Sequence, residues 1–412
     1  MTPMQMKHLL TTILFVCWTA LPLAAGDWPQ WRGPNRDDVS AETGLLTQWP
    51  AGGPRLVWKA TGLGAGYAGV SVVGARVFTL GESSGSSFAL ALEGAAGHLV
   101  WTAKIGRAGA DPPGPRSTPT VDGDRVYALG QFGDLVCLAA ATGREVWRKN
   151  LEKDFGGRCG GWSYSESPLV DGERLVCTPG STRGSMVALN KSTGALLWQT
   201  KEFTDPAEYS SPIVGQIGGV RQYIQLTGEH VAGVEAETGK LLWLAPRHGQ
   251  TATIPTPICH DNHVYVTSGY GIGCNLFQIT TTSEGYKAEQ LWANQVMANH
   301  HGGVVRLGDC LYGYSENKGW VCQDFNTGRL LWSHQGVGKG SLTCADGHLY
   351  LRSEAGNGTL ALVQATPNGY TEISRFDQPD RSKQNSWPHP VIAGGKLYLR
   401  DQDVLLCYDL KH

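Results

Sequence analysis

Apolar residues alternate with polar ones along most of the chain, in short runs broken by polar turns that hold a glycine. That period of two predicts strands, and no twelve-residue stretch keeps a 3.6-residue apolar stripe. One phrase recurs: an apolar strand, a small turn with glycine, then an apolar strand ending in tryptophan. It reads LEGAAGHLVW at 92–101, LAAATGREVW at 138–147, LNKSTGALLW at 189–198, VEAETGKLLW at 234–243 and CQDFNTGRLLW at 322–332. Looser copies end at Trp292 and Phe376, and Trp58 adds an eighth anchor. Successive anchors are 40 to 51 residues apart, a period that signals a repeat architecture.

A second phrase lies between the anchors: two apolar strands around a tight turn, the second ending near tyrosine. TPTVDGDRVY at 118–127, SPLVDGERLVC at 167–177 and HPVIAGGKLY at 389–398 are examples. Asp-Gly at 122–123, 171–172 and 346–347 is a strong hairpin signal. Each unit therefore reads as four short antiparallel strands, and radial repetition of such sheets makes a propeller. The strand ending at Trp58 precedes the first whole unit, and the chain ends after a third strand. Ring closure resolves both, with 55–59 completing the last sheet and removing two open edges. The predicted fold is all-β: an eight-bladed propeller of four-stranded blades at 68–103, 114–149, 164–200, 208–245, 253–294, 300–334, 338–378, and 386–410 joined by 55–59.

The first residues stand outside this pattern. Lys7 and His8 precede the apolar run LLTTILFVCWTALPL, which small residues follow at 24–26. This predicts a cleaved export signal over 1–26, an extension over 27–54 and one propeller domain over 55–410. No later stretch is apolar enough to span a bilayer. The expected location is the periplasm or the exterior.

Composition narrows the function. With 34 basic and 36 acidic residues and no block of like charge, a phosphate-tracking nucleic-acid binder is not expected. Nine cysteines follow the leader. Most fall at matching strand positions, which suits small buried hydrophobes; Cys159 and Cys274 read as loop residues. No Cys-x-x-Cys pair occurs, so structural zinc is not expected.

Candidate chemistry collects on one face of the ring. The links from fourth to next first strand, and from second to third, share that face, and loops on a rigid scaffold carry function. Glu166 is a candidate carboxylate for calcium or for base catalysis, or else a surface pair. His300 is a candidate for ligand contact or proton transfer, or else for a polar structural role. Its neighbour His301 should point away from it in extended chain, so the pair earns no metal label. Arg116 and Lys339 could attract an anionic cofactor or substrate, or else be ordinary exposed charges, and Lys339 is also a candidate for catalysis beside Glu166 and His300. Trp387 could stack on a planar ligand or simply pack. Long links at 103–116, 149–163 and 377–388 should overhang this face, and 27–40 should pack over a face or side of the ring, a partner contact through Asp27, Trp28, Trp31 and Arg32 being the alternative.

The LxxxTGxxxW and SPxVxxGxxxY phrases resemble the PQQ-like (pyrroloquinoline quinone repeat) β-propeller superfamily over nearly all of 55–410. The opening DWPQWRGPNRD resembles exported bacterial members, BamB-like and quinoprotein-like. The resemblance implies eight blades and two possible functions. The first is a non-catalytic exported scaffold binding an envelope protein, a polymer or a small ligand through the loop face. The alternative is an alcohol or sugar dehydrogenase using pyrroloquinoline quinone with calcium. The chain departs from the dehydrogenases in lacking vicinal cysteines and their metal-binding acid and amide motifs. It departs from the lipoproteins in lacking a lipid-attachment cysteine. No catalytic residue is carried over by motif.

Overall fold

The computed structural model describes residues 26–412; the predicted leader, Gly26 apart, lies outside the described residues. Eight sheets of consecutive antiparallel strands form an eight-bladed propeller. Blade 1 is typical, with strands Ser71–Val73, Arg76–Ser83, Ser86–Glu93 and Leu99–Arg107 in spatial order. Blade 8 is built from both ends of the chain. Leu56–Ala60 pairs antiparallel with Val404–Asp409, placing Trp58 opposite Cys407 and Lys59 opposite Leu406.

The repeated tryptophans explain the spacing. Each sits on a fourth strand, and all but Trp243 send the indole N–H to a carbonyl of the next blade: Trp101 to Ala140 and Trp147 to Lys191 at 2.9 Å, Trp198 to Ala236 at 3.2 Å. The glycine of the next blade's turn lies against the same ring. At Gly194 φ is +71°, and an added Cβ would stand 2.8 Å from the Trp147 indole. Glycine is needed there both for the left-handed backbone and for the close approach. Where the chain breaks in blade 8, Gly53 takes the equivalent place against Phe376. Blade 5 lacks this turn, because its outer hairpin runs long, Gly273–Thr282 to Gly285–Asn294. Trp243 instead donates to Gln222 of its own blade at 2.7 Å.

Nearer the axis, the Ser/Thr-Pro phrases stitch the ring. The Thr120 hydroxyl donates to the Pro168 carbonyl at 2.5 Å, and that of Ser210 to Pro255 at 3.0 Å. Between these inner and outer seams the core forms layers between neighbouring blades. Phe78, Leu80 and Ala89 of blade 1 pack against Val121, Val126 and Val136 of blade 2. Apart from Trp162 on the inserted link, the large exposed apolar side chains, Leu99, Leu196 and Leu291 among them, lie on outermost strands.

Three features depart from the simple repeat. The extension enters the axis rather than covering a face. Val39–Ser40 adds a short parallel strand inside blade 7, beside Cys344 and Ala345. Trp28 pairs with Val72 of blade 1, Arg36 donates to the Ser167 carbonyl of blade 3 at 2.6 Å, and Arg32 donates to Val304 of blade 6 at 2.5 Å. One short helix, Leu151–Phe155, interrupts the link 149–163, capped by Asn150 and ended by Gly156 at φ +69°. Cys274, expected in a loop, is buried within a third strand. The nine cysteines among the described residues are free thiols.

Candidate functional site

The links from fourth to first strand converge on a cavity of about 300 Å³. Its wall is mostly aromatic: Tyr67, Tyr209, Tyr270 and Trp387 from the ring, Trp162 from the inserted link, and Trp31 from the axial segment. Ser165, Ser167, Ser211, Ala252 and Ile254 fill between them. Arg116, His300 and His301 complete the wall. No aspartate or glutamate is among the described residues that line it.

Three of the candidates from sequence, Arg116, His300 and Trp387, therefore stand around one space. Lys339 lies behind His300, its ammonium 2.6 Å from the imidazole Nδ1. Glu166 is not on the cavity. It is buried, with Oε1 accepting from the Thr178 N–H at 2.5 Å, so the structure offers it neither to a loop-face metal nor to a substrate. His301 does not point away from His300. The chain bends at 301–302 instead of running extended, and the two rings lie 5.2 Å apart.

A half-buried polar chain fixes one wall. The Lys339 ammonium can only donate, so His300 Nδ1 accepts and Nε2 carries the proton. That N–H points at the Tyr270 hydroxyl oxygen, 2.8 Å away. Burial, with His301 and Lys339 alongside, pushes His300 down to about 3, which keeps the ring neutral as this geometry needs. The Tyr270 hydroxyl hydrogen is thus left free to donate. Its backbone is held at φ +57°, an uncommon conformation for a bulky residue. Behind this, Glu354 accepts from His301 Nε2 at 2.6 Å and from the Trp387 indole at 3.1 Å, with Lys339 3.4 Å away. Burial alone would raise Glu354, but the bond and charge of His301 and those of Lys339 hold it down at about 2. Its charge is spent inside the wall, on positioning Trp387 and His301.

The opposite wall carries Arg116. Its guanidinium donates to the carbonyls of Pro112, at 2.7 Å, and Gly114, at 3.2 Å. Among the described residues it has no carboxylate partner, and burial lowers its pKa. The site thus has a cationic side, a neutral donor side, and aromatic surface between.

Sequence reasoning missed Trp162, and it named Trp31 only for packing or a partner contact, not for this cavity. Both stand outside the repeat, where no packing slot claims a tryptophan. Trp162 is 39% exposed at the mouth, a signal readable only from its place in a Gly-rich inserted link. The metal expectation is addressed by donor chemistry. Among the described residues no cluster of three His, Cys, Asp or Glu could hold an ion. His300 has both nitrogens engaged. The lining does not fit a metal-held quinone.

Comparison with known proteins places these observations. The family profile described as "Outer membrane protein assembly factor BamB" matches residues 87–334. Curated relatives of that name come from Kangiella koreensis, 29% identical over 164 residues, and Shewanella oneidensis, 23% identical over 269. The alignments cover 38% and 61% of this chain and 35% and 65% of the relatives' own lengths. Among solved structures, BamB from Moraxella catarrhalis is 14% identical with a TM-score of 0.57, covering 80% of this chain and 95% of that one. Quinohemoprotein alcohol dehydrogenase from Comamonas testosteroni is 11% identical with a TM-score of 0.66, covering 94% and 81%. At these identities the structural likeness shows a shared fold.

Proposed function

The chain belongs to the PQQ-repeat propeller family described as outer membrane protein assembly factor BamB, and from that premise we propose that it is a non-catalytic binding propeller of the cell envelope, exported to the periplasm or beyond, that holds a ligand in its loop-face cavity. The observation that carries this reading is the wall itself. Six aromatic rings and the unpaired Arg116 converge on one concave space, the composition of a recognition pocket. The neighbouring acid and imidazoles are tied to one another instead of facing a reacting atom. The relatives' name supports an envelope setting and a protein partner there. Among the described residues no helix is long and apolar enough to cross a membrane.

A quinone-dependent dehydrogenase finds less support, since the cavity lining supplies no carboxylate for a metal or for proton abstraction. The test is calorimetric. Purified protein, freed of its leader, is titrated with pyrroloquinoline quinone with and without calcium, and in parallel screened by thermal shift against small metabolites and glycans. The expected result is no saturable quinone binding, with at least one screen ligand whose binding Trp162→Ala and Trp387→Ala both weaken. Dye-linked alcohol oxidation by the purified protein would overturn the non-catalytic reading.

A further inference from the structure

Resting on that pocket reading, we propose that the ligand is a saccharide unit bearing an acid group, a carboxylate or a sulfate, with Arg116 holding the acid and Tyr270 donating to a hydroxyl on the far side. Three features of the cavity set this class.

First, charge. Arg116 is a cation set in an aromatic wall, held in place through backbone carbonyls and facing no carboxylate among the described residues. A guanidinium so placed favours a planar or tetrahedral oxyanion, to which it can donate more than one N–H. A ligand cation is disfavoured, because the cavity offers it no negative partner and one fixed positive one.

Second, shape. The rings form a bowl and not a slot. Trp162 meets Tyr209 at 62° and 5.9 Å, Tyr270 meets His300 at 82°, and Tyr67 is stacked directly on Trp387 at 4.3 Å with no gap between them. A flat aromatic ligand would want two parallel plates. A puckered ring with polarised C–H bonds on its face needs only single ring faces, whose quadrupole is negative there. The volume, about 300 Å³, suits one or two sugar rings.

Third, the remaining polar groups are hydroxyls and imidazoles. The Tyr270 hydroxyl is oriented by the His300–Lys339 pair to present its hydrogen. Arg116 lies in the link before blade 2, and Tyr270 in blade 5, half a ring apart. One end of the ligand is therefore charged and the other neutral and hydroxylated. An extended peptide would instead seek free backbone groups along a sheet edge, and here side chains of loops make the wall.

The experiment measures tryptophan fluorescence and calorimetry with four probes: a uronic-acid oligosaccharide, its neutral counterpart of the same linkage, a sulfated oligosaccharide, and a planar aromatic carboxylate. The expected result is saturable binding of at least one acidic sugar, tenfold or more tighter than the neutral one and weakened by salt. Comparing the uronate with the sulfated probe identifies which acid is preferred. Arg116→Gln should abolish the tenfold preference of the acidic over the neutral sugar. Arg116→Lys should restore part of the preference, which separates loss of charge from disturbance of the 110–116 link. Trp162→Ala, at the exposed mouth, should weaken acidic and neutral sugars alike. Equal binding of acidic and neutral sugars overturns the charge assignment. Binding of the aromatic acid alone overturns the saccharide assignment. Both outcomes leave the pocket reading standing. If none of the four binds, the proposal fails, and the thermal-shift screen then decides separately whether the cavity is a site at all.

Discussion

Glu166 shows how little a residue's identity says before its surroundings are known. Its side chain is buried, Oε1 accepts one backbone N–H, and Oε2 has no partner. Burial is the largest influence and raises its pKa to about 7, against opposing bonds from Thr178 and the charge of Arg36. The folded protein therefore binds this proton more tightly than the unfolded chain does. The group costs nothing below its ordinary carboxyl range and becomes a penalty as pH rises through about 7. Glu166→Gln keeps the bond to Thr178 and cannot ionise. Relative to the parent it should gain stability between pH 5 and pH 8, by up to about 3 kcal/mol, read as a rising difference in denaturation midpoint. A flat difference across that range would refute the buried-acid account. Placing Glu166 near the loop face was within reach of the repeat register. The direction its side chain takes was not, because the link before a first strand has no fixed period. For the same reason the register brought Arg116, His300 and Trp387 to one face but said nothing of the Lys339–His300–Tyr270 chain, which depends on a bend at His301.

At the level of the element, the turn glycine and the preceding blade's tryptophan act as one unit, and two glycines separate its components. Gly172, in an Asp-Gly hairpin, has φ +58° and nothing within 4 Å of an added Cβ. Gly194 has nearly the same φ but faces the Trp147 ring at 2.8 Å. Gly172→Ala should therefore cost only left-handed backbone strain, on the order of 1 kcal/mol. Gly194→Ala should cost that and the displacement of an indole, on the order of 2–3 kcal/mol. Urea midpoints of the two variants test the difference, and equal losses would mean that the tryptophan seam contributes nothing. This coupling is why blade count and strand order were readable from the chain, since each copy of the phrase must satisfy its neighbour as well as itself. Blade 5 was only loosely readable because its long outer hairpin gives up the glycine turn, and Trp243 finds its partner within its own blade. The helix Leu151–Phe155 escaped the periodicity entirely, being shorter than two turns and specified by its caps.

The whole molecule differs from an ordinary repeat array in what occupies its axis. Stacked repeats couple only to their neighbours and can unfold piecemeal. Here the segment 27–40 contacts blades 1, 2, 3, 5, 6, 7 and 8: Val72, Val121, Ser167, Thr256, Val304, Cys344 and Ile392 each bond to it. Its centre is Asp38, fully buried, which accepts from Arg32 Nε at 2.6 Å and lies 2.9 Å from His389 Nδ1. The far nitrogen of that imidazole stands 3.0 Å from the His301 carbonyl, and its ring packs on Trp31 at 4.5 Å, so the axis also supports the cavity floor. Asp38→Asn leaves the Arg32 charge buried without a counter-ion, a loss of about 3–5 kcal/mol. Because the segment binds seven blades, that loss should fall on the ring as a unit. Near- and far-ultraviolet circular dichroism should report one coincident transition at a lower midpoint. An early near-ultraviolet step followed by a parental far-ultraviolet transition would show the axial segment to be a separable plug. The pH dependence carries its own sign. Burial would raise the Asp38 pKa, but Arg32 and His389 together hold it below the ordinary carboxyl value. Its contribution is thus present above about pH 4 and lost as pH falls further. Parent and variant should differ most near neutrality and converge in acid, as for Glu166→Gln, but with the opposite sign: Asp38→Asn falls below the parent where Glu166→Gln rises above it. Measuring both variants across one pH series therefore separates the axial ion pair from the lone buried acid within a single molecule.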